Sequence, residues 1–244
     1  MVYWAFAGLI LGAIAGSFLA TAAVRWPAGR TLAGRSACDG CGRVLGPVEL
    51  IPVLGYLIRH GRCPTCGALI DPRHLQIELA AAGIGVLAFA IAPGLVGLVG
   101  ALFGWQLLLL AVLDLEHFWL PDRATGLLAL TGIAAGAAGA QPFPNDRLIG
   151  AAAGYLILWL VARGYRRVRR REGLGGGDPK LFGAVGAWIG WTALPFVLLG
   201  AGLIGLGAVL IARLRGADVP ADMRLPFGTL LALAAWAMWI VQNG

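Results

Sequence analysis

Residues 95–114 read LVGLVGALFGWQLLLLAVLD, nineteen uncharged positions closed by Asp114. A bilayer core is crossed by a helix of about 20 mostly apolar residues, so this stretch reads as a membrane span with a carboxylate at its end. Seven more apolar segments flank it, over 2–24, 77–92, 124–140, 148–162, 181–192, 194–214 and 227–241. The segment 181–192 is short, and its helix is expected to start before Leu181, inside the Gly-rich stretch. Should it form one broken hairpin with the segment after it, the spans number seven rather than eight.

The composition agrees. Hydrophobic residues make up 59% of the 244 residues and charged ones 13%, about half the charge of a typical soluble domain. A soluble fold of this size has no means of hiding so much apolar surface, and a disordered chain does not carry it. The first apolar run lacks a basic leader, so it is expected to be a retained helix, although Ala20-Thr21-Ala22 loosely resembles a signal-peptidase site.

The net charge of +7 comes from 18 Arg and a single Lys. Seven basic residues fall between the first two spans, one after the third, seven after the fifth and three after the seventh; the even-numbered connections hold only Arg147. Basic residues accumulate on the cytoplasmic side, which places the odd connections there and both chain ends outside. Topology therefore accounts for the basicity, and no nucleic-acid partner is expected.

Residues 25–76 are the one sizeable polar segment. They carry Cys38-Asp39-Gly40-Cys41 and, 21 residues on, Cys63-Pro64-Thr65-Cys66. Two residues between thiols let both sulfurs of a turn face one ion, and four thiolates suit tetrahedral Zn²⁺. Gly40, Gly42 and Gly67 permit the tight backbone of such knuckles. Four cysteines close the coordination shell, so the metal's role is structural. Two labile disulfides or four free thiols are the alternatives, the disulfides disfavoured on the cytoplasmic side.

Two acids stand out from the loop carboxylates. Asp114 ends the third span and Asp178 follows Gly175-Gly176-Gly177. Ionisable groups at a membrane edge are functional candidates. A carboxylate pair sharing one proton activates water and protonates a leaving amine, and the glycines let a peptide backbone come close. The plainer readings are a helix N-cap with Pro179 in the first turn for Asp178, and a charge ending a span for Asp114. Lys180, the lone Lys, is expected as a compact charge near the pair. Glu116, His117 and Asp122 read as loop residues or supporting partners, and Asp146 and Asp218 as solvated loop acids.

Together these blocks resemble the bifunctional type IV prepilin peptidases, membrane aspartic proteases of the Gly-x-Gly-Asp class. The resemblance runs through Gly16-Ser17-Phe18-Leu19, the two Cys pairs, Ile51-Pro52-Val53-Leu54-Gly55-Tyr56-Leu57, Asp71-Pro72-Arg73 with Glu78, Leu113-Asp114 with Leu120-Pro121-Asp122, Gly175 to Leu181, and Leu225-Pro226-Phe227-Gly228. It implies a catalytic pair, Asp114 and Asp178, supported by Gly175, Gly177 and Lys180. It also implies cleavage of the basic leader of membrane-inserted prepilins or type II secretion pseudopilins at the cytoplasmic face of the bacterial inner membrane. Methylation of the new N-terminus by S-adenosylmethionine is implied as well, with no donor-binding residues marked. Ala20 stands where the family commonly has Asn, which bears on the methyltransferase more than on the protease.

The expected fold is thus an all-α polytopic membrane protein with about eight transmembrane helices and a small cytoplasmic zinc-knuckle loop domain. Its divisions are a first transmembrane helix (1–24), a cytoplasmic four-cysteine zinc-binding loop domain (25–76) and a membrane-embedded aspartic peptidase domain (77–244). The competing class is a metal-binding transporter or assembly scaffold, which favours acids at the bilayer midplane and two repeated halves. Neither feature is visible in the sequence.

Overall fold

The computed structural model describes residues 2–171, 173–217, 220 and 224–244. Asp218 lies outside them. Among the described residues the regular structure is helical, with two isolated bridges, Ala37 to Val44 and Arg62 to Leu69, and no strand. The helices are α1 (Val2–Arg25), α2 (Leu54–Ile58), α3 (Pro72–Ile91), α4 (Leu95–His117), α5 (Asp122–Ala137), α6 (Pro144–Arg169), α7 (Asp178–Ile189), α8 (Leu194–Leu214) and α9 (Phe227–Asn243). All eight expected segments are helical. Among the described residues five helices, α1, α3, α4, α6 and α8, are long and apolar enough to cross a membrane. This is a multi-pass membrane protein, in which lipid offers the backbone no hydrogen-bond partners and helices satisfy it internally.

Polar residues move the boundaries away from the ends of the apolar runs. α3 starts at Pro72 because Asp71 caps it, accepting the Arg73 N–H at 2.9 Å, with proline pre-set for the first turn. α4 continues past Asp114 through His117, so Glu116 and His117 are helical rather than loop residues. α6 carries its arginines out to Arg169 before Arg170 turns left-handed.

The chain forms two compact units, 1–109 and 110–244. In the first, α1 and α3 meet through small residues. A Cβ on Gly8 would lie 2.3 Å from the Gly85 carbonyl oxygen, and one on Gly12 equally close to that of Ala81. Close approach through small residues is how helices associate when lipid removes the hydrophobic drive. The Trp105 indole N–H donates to Ala81 O at 2.9 Å, tying α4 to α3.

In the second unit α7 is sheathed by its neighbours. It is only 12 residues long, about 18 Å, and every residue except Lys180 is buried. Gly150 and Gly154 of α6 bring that helix against Gly186 and Phe182 of α7. Arg147, the only basic residue in an even-numbered connection, belongs to α6 and is 1% exposed. Its guanidinium donates to the carbonyls of Gly132, Pro142, Gln141, Ala187 and Ala140 at 2.7–3.3 Å. The charge asymmetry is therefore sharper than the sequence suggests, because its single exception is consumed inside the protein.

Candidate active site and cysteine cluster

Asp114 and Asp178 both belong to the second unit, and both are buried, at 5% and 4% exposure. Asp114 lies in the last turn of α4 and faces the start of α9. That helix follows Pro226 and has no side-chain cap of its own, although the first N–H groups of a helix need outside acceptors. Asp114 supplies one: its Oδ2 accepts the Thr229 N–H at 2.7 Å. The Thr229 hydroxyl lies 3.2 Å from the same oxygen and 2.9 Å from the Ala111 carbonyl. Gly228 makes this approach possible, since a Cβ there would stand 3.0 Å from the Asp114 carboxyl carbon.

Asp178 is the first residue of α7, behind an N-cap position filled by Gly177 that makes no side-chain cap bond. Its Oδ2 turns back and accepts the Gly175 N–H at 2.9 Å. The side chain thus serves the glycine turn and not the helix start, unlike the N-cap reading. Leu120 joins the two halves of the site. A Cβ on Gly177 would stand 2.7 Å from Leu120 Cβ, and one on Gly228 2.9 Å from Leu120 Cδ1. Both carboxyls thus border the same Leu120 side chain through the glycines beside them.

Lys180 points elsewhere. Its ammonium pairs with Asp122 in the first turn of α5, both side chains well exposed. Asp122 is therefore a helical, ion-paired residue. Asp146 is likewise not a loop acid: it is half-buried on α6 and accepts the Trp191 indole N–H at 3.0 Å. Glu116 and His117 lie 3.6 Å apart on the last turn of α4. Thr229 is the residue that sequence reasoning missed, and the available signal was an uncapped helix start after Pro226, one residue beyond Gly228.

In the first unit the four cysteine sulfurs lie within 4.8 Å of one another. Cys38 to Cys66 is 3.7 Å and Cys41 to Cys63 is 4.0 Å. A tetrahedron with metal–sulfur bonds of about 2.3 Å has edges of about 3.8 Å, so the cluster fits a four-thiolate metal site. The two turns repeat each other: Gly42 N–H returns to Cys38 O and Gly67 N–H to Cys63 O, both at 2.9 Å, with both glycines at φ 71°. Gly40 contributes space instead, since its Cβ would meet Ala68 at 2.9 Å. The backbone amides of Cys66 and Thr65 draw the Cys63 thiol down to about 6, while the other cysteines crowd Cys66 up to about 11, so without a metal the sulfurs share protons that metal binding releases.

Residues 101–210 match the type IV leader peptidase family, and residues 10–92 match the bacterial peptidase A24 N-terminal domain. The chain is 39% identical to a prepilin leader peptidase/N-methyltransferase of Aeromonas hydrophila, over 83% of this chain and 70% of that protein. It is 39% identical to one from Pseudomonas aeruginosa, over 82% and 69%. A relative of the same name from Dickeya chrysanthemi is 36% identical over 98% of this chain and 93% of its own length. No solved structure matches. The chain belongs to the type IV leader peptidase family.

Proposed function

We propose that this protein is a membrane aspartic endopeptidase that removes the basic leader of type IV prepilins or type II secretion pseudopilins and then methylates the exposed N-terminus. The observation that carries the peptidase reading is the pair of buried carboxyls, Asp114 and Asp178, set at two helix ends beside glycine backbone. The ionised member of the pair takes a proton from water as the oxygen attacks the scissile carbonyl. The protonated member donates to that carbonyl's oxygen, and the leaving amine receives a proton as the C–N bond breaks. Thr229 and Gly175 hold one oxygen of each carboxyl, leaving the other oxygens for water and substrate. With no side chains at 175–177, an extended substrate can lie against the turn.

The active site lies at the cytoplasmic face of the bacterial inner membrane. α6 and α7 run antiparallel, with Gly154 against Phe182; four residues back along α7, Asp178 is level with Leu158 of α6. Beside Leu158 is Trp159, with the Arg163 guanidinium of the next turn 5.3 Å over its ring, the pairing expected where a helix leaves the hydrocarbon. Water is available at that depth.

The division of labour follows: 1–24 as the first span, 25–76 as the cysteine domain and 77–244 as the peptidase domain, with S-adenosylmethionine as methyl donor. Cys38, Cys41, Cys63 and Cys66 hold Zn²⁺, which when bound cross-links the loop. The testing experiment exchanges one atom for another. Asp114→Asn and Asp178→Asn each abolish cleavage of a membrane-inserted prepilin with folding intact, and the double variant is no worse, because groups acting as a unit are non-additive. A precleaved substrate is still methylated by both. Substantial cleavage by purified Asp178→Asn removes that residue from catalysis.

A further inference from the structure

The first unit encloses a cavity of about 160 Å³ between the inner end of α1, the cysteine loop and the start of α3. Most of the charged groups in its wall are already occupied. Glu49 is taken by Arg43 at 2.6 Å and by the Gly46 N–H at 2.7 Å. Asp71 is taken by Arg73. Arg62, also in the wall, has no ion pair among the described residues and is exposed; three less exposed groups are left over with it. Glu78 is 7% exposed, and its one bond is to the Val53 N–H at 2.7 Å, with no cation bonded to it among the described residues. Arg25 has no acidic partner among the described residues. The Nδ1 of His74 is buried with no hydrogen-bond partner.

The Glu78–Val53 bond is built at a cost. Val53 sits at φ 63°, a region that β-branched residues almost never enter. Strain of this kind persists only where the surroundings hold it, and here it aims a backbone N–H at a buried carboxylate. The cavity wall is thereby fixed, and of its less exposed groups one carboxylate, one guanidinium and one imidazole nitrogen stay unspent.

We infer that this cavity binds the methyl donor, an amino-acid-bearing sulfonium nucleoside, through Arg25, Glu78 and His74. This rests on the methylation half of the preceding function. The leftover groups match such a ligand part by part. Arg25 suits the donor's α-carboxylate. Glu78 suits the ribose hydroxyls and the positive sulfonium, and His74 suits a ring or amino nitrogen. Ile51, Leu69 and Ile70 give the apolar wall a flat base needs. A nucleoside phosphate fits poorly, because a buried carboxylate opposes its charge. In the transfer the lone pair of the neutral N-terminal amine forms the C–N bond. The S–CH₃ bond breaks with its electron pair retained on sulfur, giving a neutral thioether, and the amine releases one proton to water. Ala20, where relatives commonly have Asn, is fully buried and is not part of the wall, which α1 supplies through Ser17, Thr21, Val24 and Arg25. Its departure from the family pattern therefore removes no group from this cavity.

The test is equilibrium binding of radiolabelled S-adenosylmethionine to the purified full-length, zinc-loaded protein in nanodiscs. Competition is read with S-adenosylhomocysteine and with ATP, and ultraviolet cross-linking of the donor is mapped on the wild type. Expected results are displacement by S-adenosylhomocysteine only and cross-links within 17–78. Glu78→Gln and Arg25→Gln should each weaken binding at least tenfold with zinc content unchanged. Equal displacement by ATP overturns the sulfonium specificity. Wild-type binding with cross-links outside 17–78, or with both variants binding as wild type, overturns the cavity assignment alone. Failure of the cleaving wild type either to bind the donor or to methylate overturns the methylation reading itself.

Discussion

The Thr229 hydroxyl has one proton and two acceptors within reach, the Ala111 carbonyl at 2.9 Å and Asp114 Oδ2 at 3.2 Å. When Asp114 is ionised, the hydroxyl donates to it; when Asp114 carries the proton on that oxygen, Asp114 donates to the hydroxyl, which turns to Ala111. Rotation about one bond satisfies both states of a carboxyl that, in the proposed mechanism, cycles a proton. Thr229→Val keeps the shape and the backbone N–H at 2.7 Å but removes this adaptor. A hydrogen bond to a charged group contributes about 1.5–3 kcal/mol, and the retained N–H argues for the lower end. A loss of about 1.5 kcal/mol in the transition state is roughly a tenfold fall in rate. The assay is steady-state cleavage of a detergent-solubilised prepilin, with kcat expected to fall about tenfold and KM to stay constant, since the hydroxyl touches the carboxyl and not the leader. Thr229→Ser, which restores the hydroxyl, should recover most of the rate. Wild-type kcat in Thr229→Val, or an equal fall in Thr229→Ser, refutes the reasoning.

Gly228→Ala places a methyl 3.0 Å from the Asp114 carboxyl and 2.9 Å from Leu120; overpacking of this kind costs about 1–3 kcal/mol, and cleavage should drop by one to two orders of magnitude while zinc content is unchanged. Arg147→Lys keeps the charge but offers three donors where five carbonyls are served, so thermal unfolding in detergent should show a loss of about 2–4 kcal/mol. Cys41→Ser leaves three thiolates and should lower bound zinc, measured by atomic absorption, with partial cleavage retained and methylation more impaired.

The span pattern was legible because lipid enforces it. Every apolar run became a helix, and Asp178 marked the true start of α7, three residues before its run begins. The cysteine cluster was legible for a similar reason, since thiol spacing alone nearly dictates a four-sulfur turn pair. The carboxyl pair was visible as two anomalous charges. What held them was not visible, because Thr229 is 115 residues from Asp114 and its bond depends on how α4 and α9 pack. The partner of Lys180 was hidden on the same ground: rarity in a sequence carries no direction, and the side chain pairs with Asp122. Asp146 and Asp122 read as loop acids in the sequence because both sit beside apolar runs rather than in them, whereas helices start with such residues, whose charge complements the first turn.

The shortness of α7 has a functional reading. Twelve residues fall well short of the ~30 Å hydrocarbon core, so a lone α7 would leave its ends stranded in lipid. Burial on nearly every side removes that penalty, because its surroundings are α5, α6 and α9 rather than acyl chains. Its two ends are then met by protein: Arg147 binds the Ala187 carbonyl near the C-terminus, and the glycine turn receives the N-terminus. A helix held this way places Asp178 at a depth set by its packing on α6 and not by its own hydrophobic length.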